Sequence, residues 1–121
     1  MERGTNLEFN MKLRERTKRF VLRIIKLCDE LPQKESAKVI SRQLLRSATS
    51  VAANFRSACR GRSKAEFYSK ICIVVEEADE TQYWLELLRD SSLVDNLLLQ
   101  EIIQESTEIV AITTSIKHHL P

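Results

Sequence analysis

The chain has little of what bends, staples or anchors a protein. Two Gly and two Pro in 121 residues leave too few turn positions for a sandwich or barrel of many short strands. Its three cysteines, Cys28, Cys59 and Cys72, are odd in number and widely spaced, and each falls within an apolar or small-residue pattern. That argues against a disulfide framework and a zinc site, and for free buried thiols. The longest uncharged stretch, Ser47 to Phe55, is far short of the ~20 apolar residues that span a bilayer. The N-terminal residues lack the apolar core of a signal peptide, so a soluble cytoplasmic protein without membrane association is expected.

Catalytic chemistry is equally scarce. Histidine occurs only as His118 and His119, beside the terminal Pro121, and the Glu-x-x-His pairs of a bundle two-metal site are absent. Glu76, Glu77, Asp79 and Glu80 cluster in sequence but spread over several directions of a helical wheel. Such a spread fits a charged face or partners for arginines better than a metal cage. Arg60-Gly61-Arg62 has one glycine and reads as a helix stop, not a phosphate loop. No nucleophile with an adjacent base is visible, and no catalytic residue, metal or cofactor is expected.

What is abundant is helical. The sequence is 43% hydrophobic and 30% charged, rich in Leu, Ile, Glu, Lys, Arg and Ala, at a length suited to one domain with its own core. Apolar positions recur at three-and-four spacing from Leu13 through Phe20, Val21, Ile24, Leu27, Cys28 and Leu31, where Pro32 stops the pattern. A second series runs through Val39, Ile40, Leu44, Ala48, Val51, Ala52 and Phe55 to Gly61. Ser63-Lys64-Ala65-Glu66 has the form of a capping box and opens a third series, Phe67, Ile71, Val74, Ala78, Thr81, Leu85 and Leu88. After Asp90-Ser91-Ser92, Asp95 or Asn96 is placed to cap a fourth helix carrying Leu98, Ile102, Ile109, Ile112 and Ile116. The expected fold is all-α: one domain over residues 1–121 with helices at about 13–31, 35–60, 64–90 and 95–118. Short links make neighbours antiparallel, giving an up-down-up-down four-helix bundle with a frayed first ten residues.

Two helices carry more apolar or small surface than a monomer needs. Phe67, Tyr68, Ile71, Cys72, Ile73, Val74 and Val75 are apolar on nearly every side, where a water-facing bundle helix has one stripe. Helix two spreads Ser47, Ala48, Ser50, Ala52, Ala53, Ser57 and Ala58 around its circumference, and small residues permit close approach of another backbone. We expect a homo-oligomer, with Ser50, Ala53, Ser57, Tyr68, Cys72 and Val75 at the interface. A tightly packed monomer is the simpler alternative. Tyr68, Tyr83 and Trp84 are expected to pack there or on the bundle rather than stack on unpaired bases.

Charge is segregated along the chain. Residues 34–64 hold eight Lys or Arg against one Glu, net +7, and residues 65–90 two against seven, net −5. Opposite faces attracting one another, or a basic surface left for phosphates, both follow from this. Arg42, Arg46, Arg56, Arg60, Arg62 and Lys64 are the candidates for salt-sensitive contact with RNA or DNA phosphates.

The run Gln43 to Phe55, with Arg62 to Phe67, Glu76 to Thr81 and the Leu31-Pro32 helix end, resembles the four-helix-bundle family named for open reading frames inside bacterial large-subunit rRNA intervening sequences. The resemblance covers about residues 13–117. It implies up-and-down bundles that form homopentameric rings, in a family that includes the accessory variability determinant of diversity-generating retroelements. That protein is basic, pentameric, and binds nucleic acid and a reverse transcriptase. The pattern residues are Arg46, Ser47, Ser50 and Asn54, none of which the resemblance makes catalytic. Ser47, Asn54 and Glu66 are expected to be structural, with Asn54 a buried amide sharing a polar network with Arg46 and Glu66. Many relatives follow the Asn-containing segment with Glu-Gly, where this chain has Ser57-Ala58. Two functions stay open: a nucleic-acid-binding accessory protein, or a structural adaptor ring that binds a protein.

Overall fold

The structure, a computed structural model, describes residues 2–120, with side-chain surroundings from residue 7. Four helices in succession form it: α1 (Glu2–Asp29), α2 (Glu35–Cys59), α3 (Lys64–Asp90) and α4 (Leu97–His118). Their ends follow from local chemistry. Pro32 lies in the link that separates α1 from α2 and supplies no N–H donor. The Ser63 hydroxyl accepts the Glu66 N–H at 3.1 Å, while a Glu66 carboxylate oxygen accepts the Arg62 N–H at 2.7 Å. Each side chain thus satisfies an orphan amide where α3 begins. Of the two candidates before α4, Asn96 is the cap, its side-chain oxygen accepting the Leu99 N–H at 2.8 Å. Gly61 has no left-handed backbone; its constraint is space, because a Cβ there would lie 3.1 Å from the Ala58 carbonyl oxygen.

Helices adjacent in sequence pack together, α1 also packs on α4, and the diagonal pairs do not approach. Cross-links fix the directions. Arg16 of α1 pairs with Glu105 and Glu108 of α4, and Arg23, further along α1, pairs with Glu101, earlier in α4. The two helices are therefore antiparallel, and the four form an up-down-up-down square. The core fills with Phe20, Ile24 and Leu27 of α1, Leu44, Val51 and Phe55 of α2, Ile71, Val74, Leu85 and Leu88 of α3, and Leu99, Ile102 and Ile109 of α4. Each such side chain contributes about 1.5–3 kcal/mol by leaving water.

The structure departs from the sequence reading in three places. The helix α1 starts at Glu2, not near Leu13, so the stretch expected to fray is helical backbone. Leu7, Phe9 and Met11 are exposed there, which is why no core stripe marks it. Val39 is 45% exposed and Ala37 takes the core position instead. The cysteines are free but half-buried. Burial, with Asp29 alongside, pushes the Cys28 thiol up to about 11.

Candidate nucleic-acid interface

Burial splits α2 lengthwise. Ala37, Leu44, Ser47, Ala48, Val51, Phe55 and Ala58 are buried. Val39, Arg42, Arg46, Thr49, Ala53, Arg56 and Arg60, spaced three and four apart, are exposed and form a stripe on the opposite side. Arg62 and Lys64 continue the positive charge into the turn before α3, both exposed.

Arg46 leaves this basic set. Its guanidinium bonds the Glu80 carboxylate and approaches Glu77 of α3 at 3.3 Å. The hydrogen bonds to Glu77 and Glu80 raise its pKa above the ordinary arginine value. Glu80 in turn sits below the usual carboxylate range, held first by the Trp84 indole N–H at 3.1 Å and then by Arg46. Sequence alone groups Arg46 with the phosphate-facing residues because its partners lie on another helix, more than thirty residues away. Arg42, Arg56, Arg60, Arg62 and Lys64 form no ion pair among the described residues.

Two open grooves flank α2 near its C-terminal end. One, of about 470 Å³ at the α2–α3 corner, is lined by Ala53, Arg56, Ser57, Arg60, Gly61, Glu66, Ser69 and Lys70. The other, of about 570 Å³ between α1 and α2, is lined by Arg14, Glu15, Lys18, Val21, Leu22, Thr49, Ala52, Ala53 and Arg56. Arg14, Lys18 and Lys70 are absent from the candidates that the sequence offers. Their only signal there is the i, i+4 spacing of Arg14 and Lys18, and the nearness of those two to Arg56 depends on the antiparallel register of α1 and α2.

The expected interface residues are distributed unevenly. Ala53 is exposed, Ser50 and Ser57 are half-buried on α2, Tyr68 is 39% exposed, and Cys72 and Val75 are half-buried on α3. Tyr83 is exposed and meets Trp84 edge-on at 5.1 Å. These rings share α3 with Glu76, Asp79 and Glu80, and the Trp84 indole N–H is committed to Glu80.

Residues 10–115 match the family model described as 23S rRNA-intervening sequence protein. The chain belongs to that family. It is also similar to a crystal structure of a protein with unknown function, from the S23 ribosomal protein family of Bacteroides thetaiotaomicron VPI-5482. That likeness has 36% identity, covers 90% of this chain and 97% of the other, and has a TM-score of 0.81. Among curated proteins, none matches.

In this chain the residues of the Arg-Ser-x-x-Ser-x-x-x-Asn run do separate jobs and share no single network. Arg46 ties α2 to α3. Ser47 is buried, with its hydroxyl 2.9 Å from that of Thr81. The Asn54 amide donates to the Ser50 carbonyl at 3.0 Å and to its hydroxyl at 2.9 Å, one turn back on the same helix. Asn54 is half-buried, not buried, and meets neither Arg46 nor Glu66, whose carboxylate caps the turn before α3. Among the described residues no cluster of His, Cys, Asp and Glu is arranged to hold a metal ion, and no helix is long and apolar enough to cross a membrane.

Proposed function

We propose that this member of the family is a homo-oligomeric accessory protein that binds RNA or DNA through the exposed basic face of α2 and the turn after it. The observation that carries the reading is Arg42, Arg56, Arg60, Arg62 and Lys64, exposed and outside every intramolecular ion pair among the described residues. Five cations with no internal partner attract a polyanion, and phosphate contact alone gives affinity without base reading. The family is named for 23S rRNA intervening sequences, and that name supports RNA as the first ligand to test.

Association uses the exposed and half-buried Tyr68, Cys72 and Val75 of α3, and the family resemblance supports a ring of five. The small residues on the outside of α2 sit among cations, so we assign them to the approach of phosphates rather than of a second subunit. Any chemistry belongs to a partner such as a reverse transcriptase, and this chain is given no catalytic role and no cofactor. One observation favours a second reading, an adaptor ring that binds a protein and no nucleic acid. In the ion pair of Arg46 with Glu77 and Glu80, basic charge of α2 serves the fold itself.

The test is light scattering coupled to gel filtration, with a short structured RNA at low and moderate salt. Replacing Arg56, Arg60 and Arg62 with Gln is expected to lower the log–log salt slope of binding by about 2–3, at ~0.7–0.9 for each phosphate no longer neutralised. Equal binding by variant and parent refutes the assignment, and an oligomer indifferent to RNA selects the adaptor.

A further inference from the structure

We infer that the two grooves beside α2 are one track for a single-stranded nucleic acid, crossing the outer ridge of α2 at Ala53; this deepens the reading above and rests on it. Ala53 and Arg56 line both grooves, so the grooves adjoin on the exposed side of the helix. At the crossing the side chain is a single methyl, low enough for a strand to pass close to the helix backbone.

Cations follow the path from end to end. Arg14 and Lys18 flank it on α1, Arg56 stands at the ridge, and Arg60 and Lys70 flank it at the α2–α3 corner. None of the five is in an ion pair among the described residues. Of the two carboxylates along the path, Glu66 already accepts the Arg62 N–H at 2.7 Å, leaving Glu15 as the one opposing charge without such a bond. Thr49 to Arg60 covers three turns of α2, about 16 Å at 1.5 Å per residue, room for several nucleotides of an extended strand.

The floor decides between single strand and duplex. Between α1 and α2 it is apolar: Val21 and Ala52 are half-buried, and Leu22 is 55% exposed beside Arg14 and Lys18. A splayed base covers such a surface, whereas a duplex keeps its bases stacked and offers only its outer phosphates. An apolar floor under a cationic rim thus matches both parts of an unpaired nucleotide.

The experiment is fluorescence anisotropy with a labelled oligouridylate of roughly ten nucleotides, within the usual site size of single-strand binders, and with an RNA hairpin duplex of the same length. We expect the single strand to bind more tightly. The Arg14→Gln, Lys18→Gln double variant should weaken it about tenfold and lower the salt slope by about 1.4. Leu22→Gln should weaken it with the slope unchanged, because it removes floor and no charge, and Lys26→Gln, at an exposed cation that lines neither groove and lies outside the basic face of α2, should change it by less than about twofold. Circular dichroism on each variant confirms that the helices are intact. If duplex binds as well and the α1 variants are neutral while the Arg56, Arg60 and Arg62 replacement still loses affinity, the basic-face reading stands and the track is wrong. No binding of either probe by the parent protein overturns both. Dissociation of the RNA-free oligomer by Ala53→Glu gives this face to a second copy and also overturns the track.

Discussion

Ser92 has a backbone φ of 60°, in the left-handed region where a Cβ crowds its own carbonyl at a cost of about 1–2 kcal/mol. It directly follows the C-cap of α3, where reversing the chain requires that conformation. Ser92→Gly should therefore raise stability by about 1 kcal/mol, less the extra freedom glycine has when unfolded. Urea denaturation checks this, and an unchanged or lower midpoint contradicts it. The buried Ser47–Thr81 pair is arranged without strain. Thr81 Oγ1 lies 2.7 Å from the Glu77 carbonyl oxygen and Ser47 Oγ lies 3.2 Å from that of Leu44. Each hydroxyl proton therefore has two acceptors within reach, a carbonyl oxygen of its own helix and the other hydroxyl oxygen, and neither group depends on the cross-helix bond alone. The pair fits two small polar side chains between α2 and α3 without leaving a donor unmatched.

Between elements, the α2–α3 contact carries an acid sensitivity. Glu80 has its folded pKa below its ordinary 4.5 through Trp84 and Arg46. The stability it supplies is present above that ordinary value and is lost as pH falls through the lower folded one. Melting temperatures at neutral pH and at about pH 3 should show Glu80→Gln losing less on acidification than the parent, by under about 1 kcal/mol because the pair is partly solvated. An equal loss removes Glu80 from the acid response. The helices themselves were largely legible in the sequence, because their stops rest on local signals: Pro32, the Ser63 and Glu66 caps, and Asn96. The start of α1 was not, since Leu7, Phe9 and Met11 turn to solvent and leave no periodicity to read. Val39 misled for a related reason. A branched apolar residue at plausible spacing looks like core, yet the buried series in α2 runs 37, 44, 48, 51, 55, 58, and Ala37 is the member that fits. The basic stripe was visible as composition, but the loss of Arg46 to Glu80 and the gain of Arg14, Lys18 and Lys70 required knowing which faces meet.

Across the whole molecule the charge is polarised. Residues 34–64 carry net +7 and residues 65–90 net −5, and the bundle sets the two segments side by side as α2 and α3. A polyanion is attracted to the α2 side and repelled by the acidic residues of α3, so it approaches in one orientation. The same polarity bears on assembly. If subunits meet through Tyr68, Cys72 and Val75 of α3, Tyr68→Glu should split the oligomer while leaving helical content intact, and Ala53→Glu should not. Sedimentation without RNA reads both, and the reverse result moves the interface to α2.

The closed order of the helices has one more consequence. Phe9 in the first part of α1 lines a common groove with Ser115 and His119 at the end of α4, so the last turn of α4 comes back beside the first turns of α1. Every helix has the helices before and after it as its neighbours, counting α4 and α1 as consecutive. A short peptide joining those two ends, with the chain opened instead between α3 and α4, would leave each packed pair as it is. The bundle is in this sense a ring of hairpins, and its packing does not depend on which link between helices is left open.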